Sequence, residues 1–87
     1  MPYIKPGVRR RLWPLLHAIH SHVLQLEPIG VLNFVITVTV NAWLGVVPNY
    51  EKLNAAIGVL ECAKQELYRR TIAPYEDKKI VENGDVY

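Results

Sequence analysis

Cysteine is nearly absent from this chain of 87 residues, where Cys62 stands alone. No intrachain disulfide can staple it, and no Cys/His pattern has the spacing of a structural zinc site. Charge of one sign is scarce as well. Lys and Arg number 10 against 8 Asp and Glu, a formal net charge of +2. A general nucleic-acid binder would carry a strong basic stripe, and none is present. There is no glycine-rich phosphate loop. Long hydrophobic runs are missing too. Val31 to Val47 is interrupted by Asn33, Thr37, Thr39, Asn41 and Gly45. It is shorter than the ~20 apolar residues of a membrane span and reads as a buried segment of a soluble intracellular protein. Met1 to Gly7 holds two prolines with no apolar run behind it, so no signal peptide is expected.

What the chain does have is apolar surface. Hydrophobic residues make up 51% of it. A chain this short buries only about 60% of its unfolded surface, which leaves a thin core. One domain spanning residues 1–87 is expected, not two. The excess apolar area predicts a homo-oligomer that buries it between subunits.

The pattern along the chain predicts a mainly α fold. It is a small domain of about three helices with an extended C-terminal arm or short hairpin. Pro14 suits an early position of the first main helix, about residues 13–26, preceded by a short turn over Val8 to Leu12. Leu12, Leu16, Ile19, Val23 and Leu26 recur there at helical spacing. Glu27-Pro28-Ile29-Gly30 breaks it. Residues 31–45 fit two periods. Leu32, Phe34, Ile36, Val38 and Val40 alternate as in a strand. Asn33, Thr37 and Asn41 instead form one polar row on an apolar helix, with Leu32, Ile36, Val40 and Trp43 as its core stripe. Length favours the helix. A third helix spans about residues 50–73, with Asn49 as its cap and Leu53, Ala56, Ile57, Leu60, Ala63, Leu67 and Ile72 as its apolar face. Gly58 inside it suggests a close helix–helix contact. Pro74 is expected to stop it. The arm, residues 74–87, carries Asn83-Gly84, a type I′ hairpin signal between Ile80-Val81 and Val86-Tyr87.

No enzyme motif, metal set or cofactor site is legible. His17 and His20 stand at i, i+3, with His22 on another face, but no carboxylate or cysteine completes a set. Cys62 reads as a buried, inert thiol. Glu61 and Glu66 fall on different helix faces and form no carboxylate pair. Arg9, Arg10 and Arg11 are a short solvated charge run, or add positive field to an oligomer pore. Ligand-binding candidates are therefore residues that hold without reacting. Tyr68, Arg69 and Arg70 end the third helix, where Arg offers a fork of donors that matches phosphate. The same cations also simply complement the helix dipole, with Glu66 as a surface partner. Tyr75, Lys78 and Lys79 follow, diluted by Glu76 and Asp77. Asn33 and Thr37 could read a base edge, bond between subunits or fasten neighbouring helices.

The motifs Leu32-Asn33-Phe34-Val35-Ile36-Thr37, Ile57-Gly58-Val59-Leu60-Glu61-Cys62, Glu66-Leu67-Tyr68-Arg69-Arg70, Pro74-Tyr75-Glu76-Asp77-Lys78-Lys79-Ile80 and Glu82-Asn83-Gly84-Asp85-Val86-Tyr87, with the opening Met1-Pro2-Tyr3-Ile4, resemble a family of short, largely uncharacterised phage and prophage proteins. The resemblance covers most of the chain and brings no biochemical function with it. By analogy of size and context it implies a host-defence antagonist in the bacterial host cytoplasm. One such type is the anti-CBASS nucleotide sponge, which binds a cyclic di- or trinucleotide signal and withholds it without cleavage. Alternatives are a protein-binding inhibitor of a host factor, docking through the arm, and a phage structural or assembly accessory. In an oligomer the segment from Tyr68 to Tyr87 is expected to cross onto a neighbouring subunit.

Overall fold

A computed structural model describes residues 4–21 and 28–87. The helices are α1 (Pro6–Ile19), α2 (Ile29–Leu44), α3 (Tyr50–Leu67) and α4 (Ala73–Asn83), with a π-helical segment (Tyr68–Ile72) joining α3 to α4. Among the described residues there is no strand, so the protein is mainly α. The chain divides into two units, Met1–Val46 and Val47–Tyr87.

In the first unit, α1 starts earlier than its sequence suggests. Pro6, not Pro14, takes the opening position, and Lys5 accepts from the Val8 and Arg9 N–H groups. Pro14 lies inside the helix. A proline there gives no N–H to the carbonyl four residues back. That carbonyl belongs to Arg10 on an exposed surface, where water can replace the donor. Val23 and Leu26 of the expected stripe, and His22, lie outside the described residues.

Residues Ile29–Leu44 form a helix despite their β-branched content, so the helical of the two periods wins. Thr39 turns its hydroxyl inward and donates to the Val35 carbonyl at 2.6 Å. Thr37 Oγ1 donates to Asn33 Oδ1 at 3.1 Å, one turn apart. Gly45 ends the helix at φ 80°, a region open to glycine, and its N–H bonds the Asn41 carbonyl. No residue of α2 is charged. A helix apolar over most of its circumference belongs in an interior. Here Ile29 is 89% exposed, Phe34 66% and Trp43 52%. Among the described residues no helix is long and apolar enough to cross a membrane. At 1.5 Å per residue α2 spans about 24 Å, against ~30 Å of hydrocarbon.

The second unit begins as expected. Asn49 Oδ1 accepts from the Lys52 N–H at 2.8 Å and caps α3. The apolar face predicted from Leu53 to Leu67 is present, but Leu53, Ile57, Leu60 and Leu67 are exposed. Ala56, at 6% exposure, is the one buried residue among those described. A Cβ on Gly58 would meet nothing within 4 Å, so among the described residues the close contact expected there is not seen.

Pro74 does not stop the helix. The backbone widens into one π turn, the Ala73 N–H reaches the Tyr68 carbonyl five residues back, and α4 then continues. An α-helix would press the proline ring against the carbonyl four residues earlier, and the wider turn relieves that clash. The expected arm is thus helical through Asn83, and the hairpin does not form. Asn83-Gly84 is a helix end instead. Gly84, at φ 86°, gives its N–H to the Ile80 carbonyl at 2.8 Å.

Candidate functional site

One polar bond of the second unit depends on the π turn. Along an α-helix, residues i and i+7 are nearly in line, whereas i+8 is rotated by roughly 80°. One extra residue in the turn moves i+8 into the in-line position. Tyr68 and Glu76 are such a pair, and the Tyr68 hydroxyl donates to Glu76 Oε2 at 3.0 Å. The accepting carboxylate pushes the Tyr68 phenol above its ordinary pKa, first through the hydrogen bond and then through its charge. Glu76 is the residue that sequence reasoning missed. No i,i+8 contact is anticipated unless the π turn is.

Arg69 and Arg70 share one acceptor. Arg70 Nε lies 2.6 Å from Glu66 Oε2, and Arg69 Nη2 lies 3.1 Å from Glu66 Oε1. The Arg70 hydrogen bond is the largest influence holding the Glu66 carboxyl below its usual range. An incoming anion must therefore compete with Glu66 for both guanidinium groups. Lys79 has two neighbours on its own helix. Its Nζ stands 5.5 Å from the centre of the Tyr75 ring and 3.2 Å from Glu82 Oε2. Lys78 lies beside it on α4, exposed.

Tyr68, Arg69, Arg70, Tyr75, Lys78 and Lys79 thus lie on one continuous helical stretch, in and just after the π turn. Asn33 and Thr37 lie in the other unit, bonded to each other. The residues after Gly84 form a shallow groove with α4, of about 380 Å³. Ile80, Val86 and Tyr87 give it an apolar wall, and Glu76, Lys79 and Asp85 bring charges of both signs.

The remaining candidates are quiet. His17 and His20 have ring centres 6.4 Å apart, and Trp13 flanks His17 at 5.5 Å. Among the described residues no three His, Cys, Asp or Glu side chains gather as a metal site. Cys62 is exposed, not buried. At ~100° per residue it falls well off the Leu53–Leu67 stripe, which corrects the expectation of a buried thiol. Glu61 pairs with Lys64 at 3.2 Å and accepts from Gln65, which lowers its pKa.

No curated protein and no solved structure matches this chain. One family does, a domain of unknown function (DUF6899), over residues 1–86. With nearly its whole length matched, the chain belongs to the DUF6899 family.

Proposed function

We propose that the protein works by association and not by turnover, as a homo-oligomeric helical binding protein. The observation that carries this is α2, uncharged along its length and apolar outside the row Asn33, Thr37 and Asn41, with Ile29, Phe34 and Trp43 exposed. Isolated helices of this length are marginal in water, and apolar area on this scale is stabilised by covering it. Light scattering during size exclusion, over a wide range of protein concentration, tests the reading. An assembly that dissociates on dilution supports it. A monomer at all concentrations removes it.

The ligand side of the reading is sequestration of a cyclic di- or trinucleotide signal, as an immune-evasion protein of the anti-CBASS type. It is favoured by the succession of Tyr68, Arg69, Arg70, Tyr75, Lys78 and Lys79 along a helical stretch that holds a π turn, a feature frequent at functional sites. Tyrosine rings would stack bases and the cations would hold phosphates. Glu66 would be displaced from its arginines on binding. A thermal-shift panel of cyclic di- and trinucleotides tests it. A rise in melting temperature that Arg69→Ala/Arg70→Ala abolishes, with intact ligand recovered after denaturation, supports it. No shift across the panel rejects it and leaves protein association, with a host factor or within the virion, as the activity.

A further inference from the structure

The cations of the two units differ in their partners. Lys64, Arg69, Arg70 and Lys79 each have a carboxylate within one turn. Among the described residues Lys5, Arg9, Arg10 and Arg11 have no such partner. The sequence offers them none nearby, because residues 1–26 contain no Asp or Glu. Residues 27–87 hold six Lys and Arg against all eight Asp and Glu. Positive charge is therefore concentrated on α1, beside a slightly acidic remainder. Lys5 is the N-cap of α1, and no acid stands in the first turn. Cations at that end also meet the positive pole of the helix dipole, so nothing local neutralises them.

We propose that α1 lies on an anionic lipid surface, with its apolar face at the acyl boundary and its arginines among the headgroups. At ~100° per residue, Val8, Leu12, Leu15, Leu16 and Ile19 fall within one arc of about 100°. Arg11 borders one edge of this arc and Arg9 the other, while Arg10 stands opposite it. Leu15 is 65% exposed, so the arc is open. Trp13, 50% exposed, falls just past Arg9, where an indole suits the headgroup level. Arginine stems can lie along the apolar edge while their heads bond headgroup phosphates. This is the pattern of a helix that lies in an interface. The 14 residues of α1 are too few to cross a bilayer. The arc also selects lipid over nucleic acid. A phosphodiester chain tracks a continuous basic groove or stripe. Here the three arginines spread around the helix, and an apolar face separates two of them. The proposal rests on α1 alone and stands whether or not α2 assembles.

Vesicles test it on the full chain. Co-sedimentation reads binding of the parent, and Trp43→Phe leaves Trp13 as the sole indole for fluorescence. With phosphatidylcholine vesicles containing about one-third phosphatidylglycerol, the protein should sediment with lipid and Trp13 emission should shift to the blue. Pure phosphatidylcholine should bind at least about tenfold more weakly, and Arg9→Gln/Arg11→Gln should weaken binding to the anionic vesicles by a similar factor. Leu12→Ser/Leu15→Ser keeps every charge. It should lose the blue shift and the binding that persists in high salt, where attraction between exposed charges is screened. Circular dichroism without lipid checks that both double variants fold as the parent does. Binding that ignores lipid charge, or a blue shift that survives the leucine changes, overturns the proposal. So does a parent that binds no vesicle. If that parent binds a single-stranded oligonucleotide through Arg9 and Arg11, the cations serve nucleic acid instead.

Discussion

The two long helical stretches of this protein solve the same problem in opposite ways. Ile29–Leu44 has no charged residue and no side-chain cap at its start, and its polar atoms turn onto its own turns. Residues Tyr50–Asn83 have the Asn49 cap, the Glu61–Lys64, Glu66–Arg70 and Lys79–Glu82 pairs, and a tyrosine–carboxylate bond across the π turn. Local bonds of that kind support a helix in water. Apolar surface does so only when something covers it. On the proposed reading the first stretch draws its stability from assembly, whereas the second is supported by its own sequence.

That contrast breaks most directly with a charge on each stretch. Ile36→Asp puts a carboxylate on the apolar stripe of α2. Covered by a partner, it should cost about 3 kcal/mol of stability and most of the assembly. Gln65→Asp on exposed α3 should stay within roughly 0.5 kcal/mol. Denaturant melts at two protein concentrations measure both. Equal effects would erase the distinction.

Pro74→Ala attacks the joint of the second stretch. Without the ring, the π turn has no clash to relieve, and the helix should close to a regular α form. The gain should be about 1–2 kcal/mol, read as a rise in melting temperature with added helical circular dichroism. Tyr68 and Glu76 would then rotate out of line and lose their bond. If the hydroxyl of Tyr68 keeps its raised pKa in that variant, the π turn is not what joins the two residues.

Two smaller changes on α3 should have opposite signs. Asn49→Ala removes the cap and should cost about 1 kcal/mol. Gly58→Ala adds a methyl to open space in mid-helix and should gain about 1 kcal/mol. A loss at Gly58 would instead show that this face is covered in the assembly.

Much of this arrangement is legible in the sequence, and the failures share one cause. The helix at residues 31–45 was legible from its length, because Asn33, Thr37 and Asn41 share one face in a strand and in a helix alike. Asn49 announced α3 because a cap needs only its own side chain and the next turn. Pro14, Pro74 and Asn83-Gly84 were misplaced because each is a local signal with two outcomes. A proline opens, kinks or ends a helix according to what the neighbouring carbonyls can do instead. Asn-Gly turns a hairpin or ends a helix according to whether a helix arrives. Among the site residues, Arg69 and Arg70 with Glu66 follow from spacing, whereas Tyr68 with Glu76 exists only through the π turn.

The gentlest probe of the contrast is the alkaline limb of stability. Glu76 raises the Tyr68 pKa above its unfolded value. A group shifted upward contributes stability that is fully present below the unfolded pKa and fades as pH rises through the folded one. The Tyr68–Glu76 bond should therefore support residues 68–83 at neutral pH and lose that support only above the ordinary tyrosine range. Tyr68→Phe removes the hydroxyl and should flatten this limb while leaving acid behaviour unchanged. At the acid end Glu66 acts with the opposite sign. Its lowered pKa gives stability that is present above the usual glutamate range and lost as pH falls through the folded value. Ile29–Leu44 has no titratable side chain and should contribute to neither limb. Melting temperatures across the pH range for the parent, Tyr68→Phe and Glu66→Gln would separate the two stretches. An alkaline limb that survives in Tyr68→Phe would assign it to another group and leave the bond across the π turn without a role in stability.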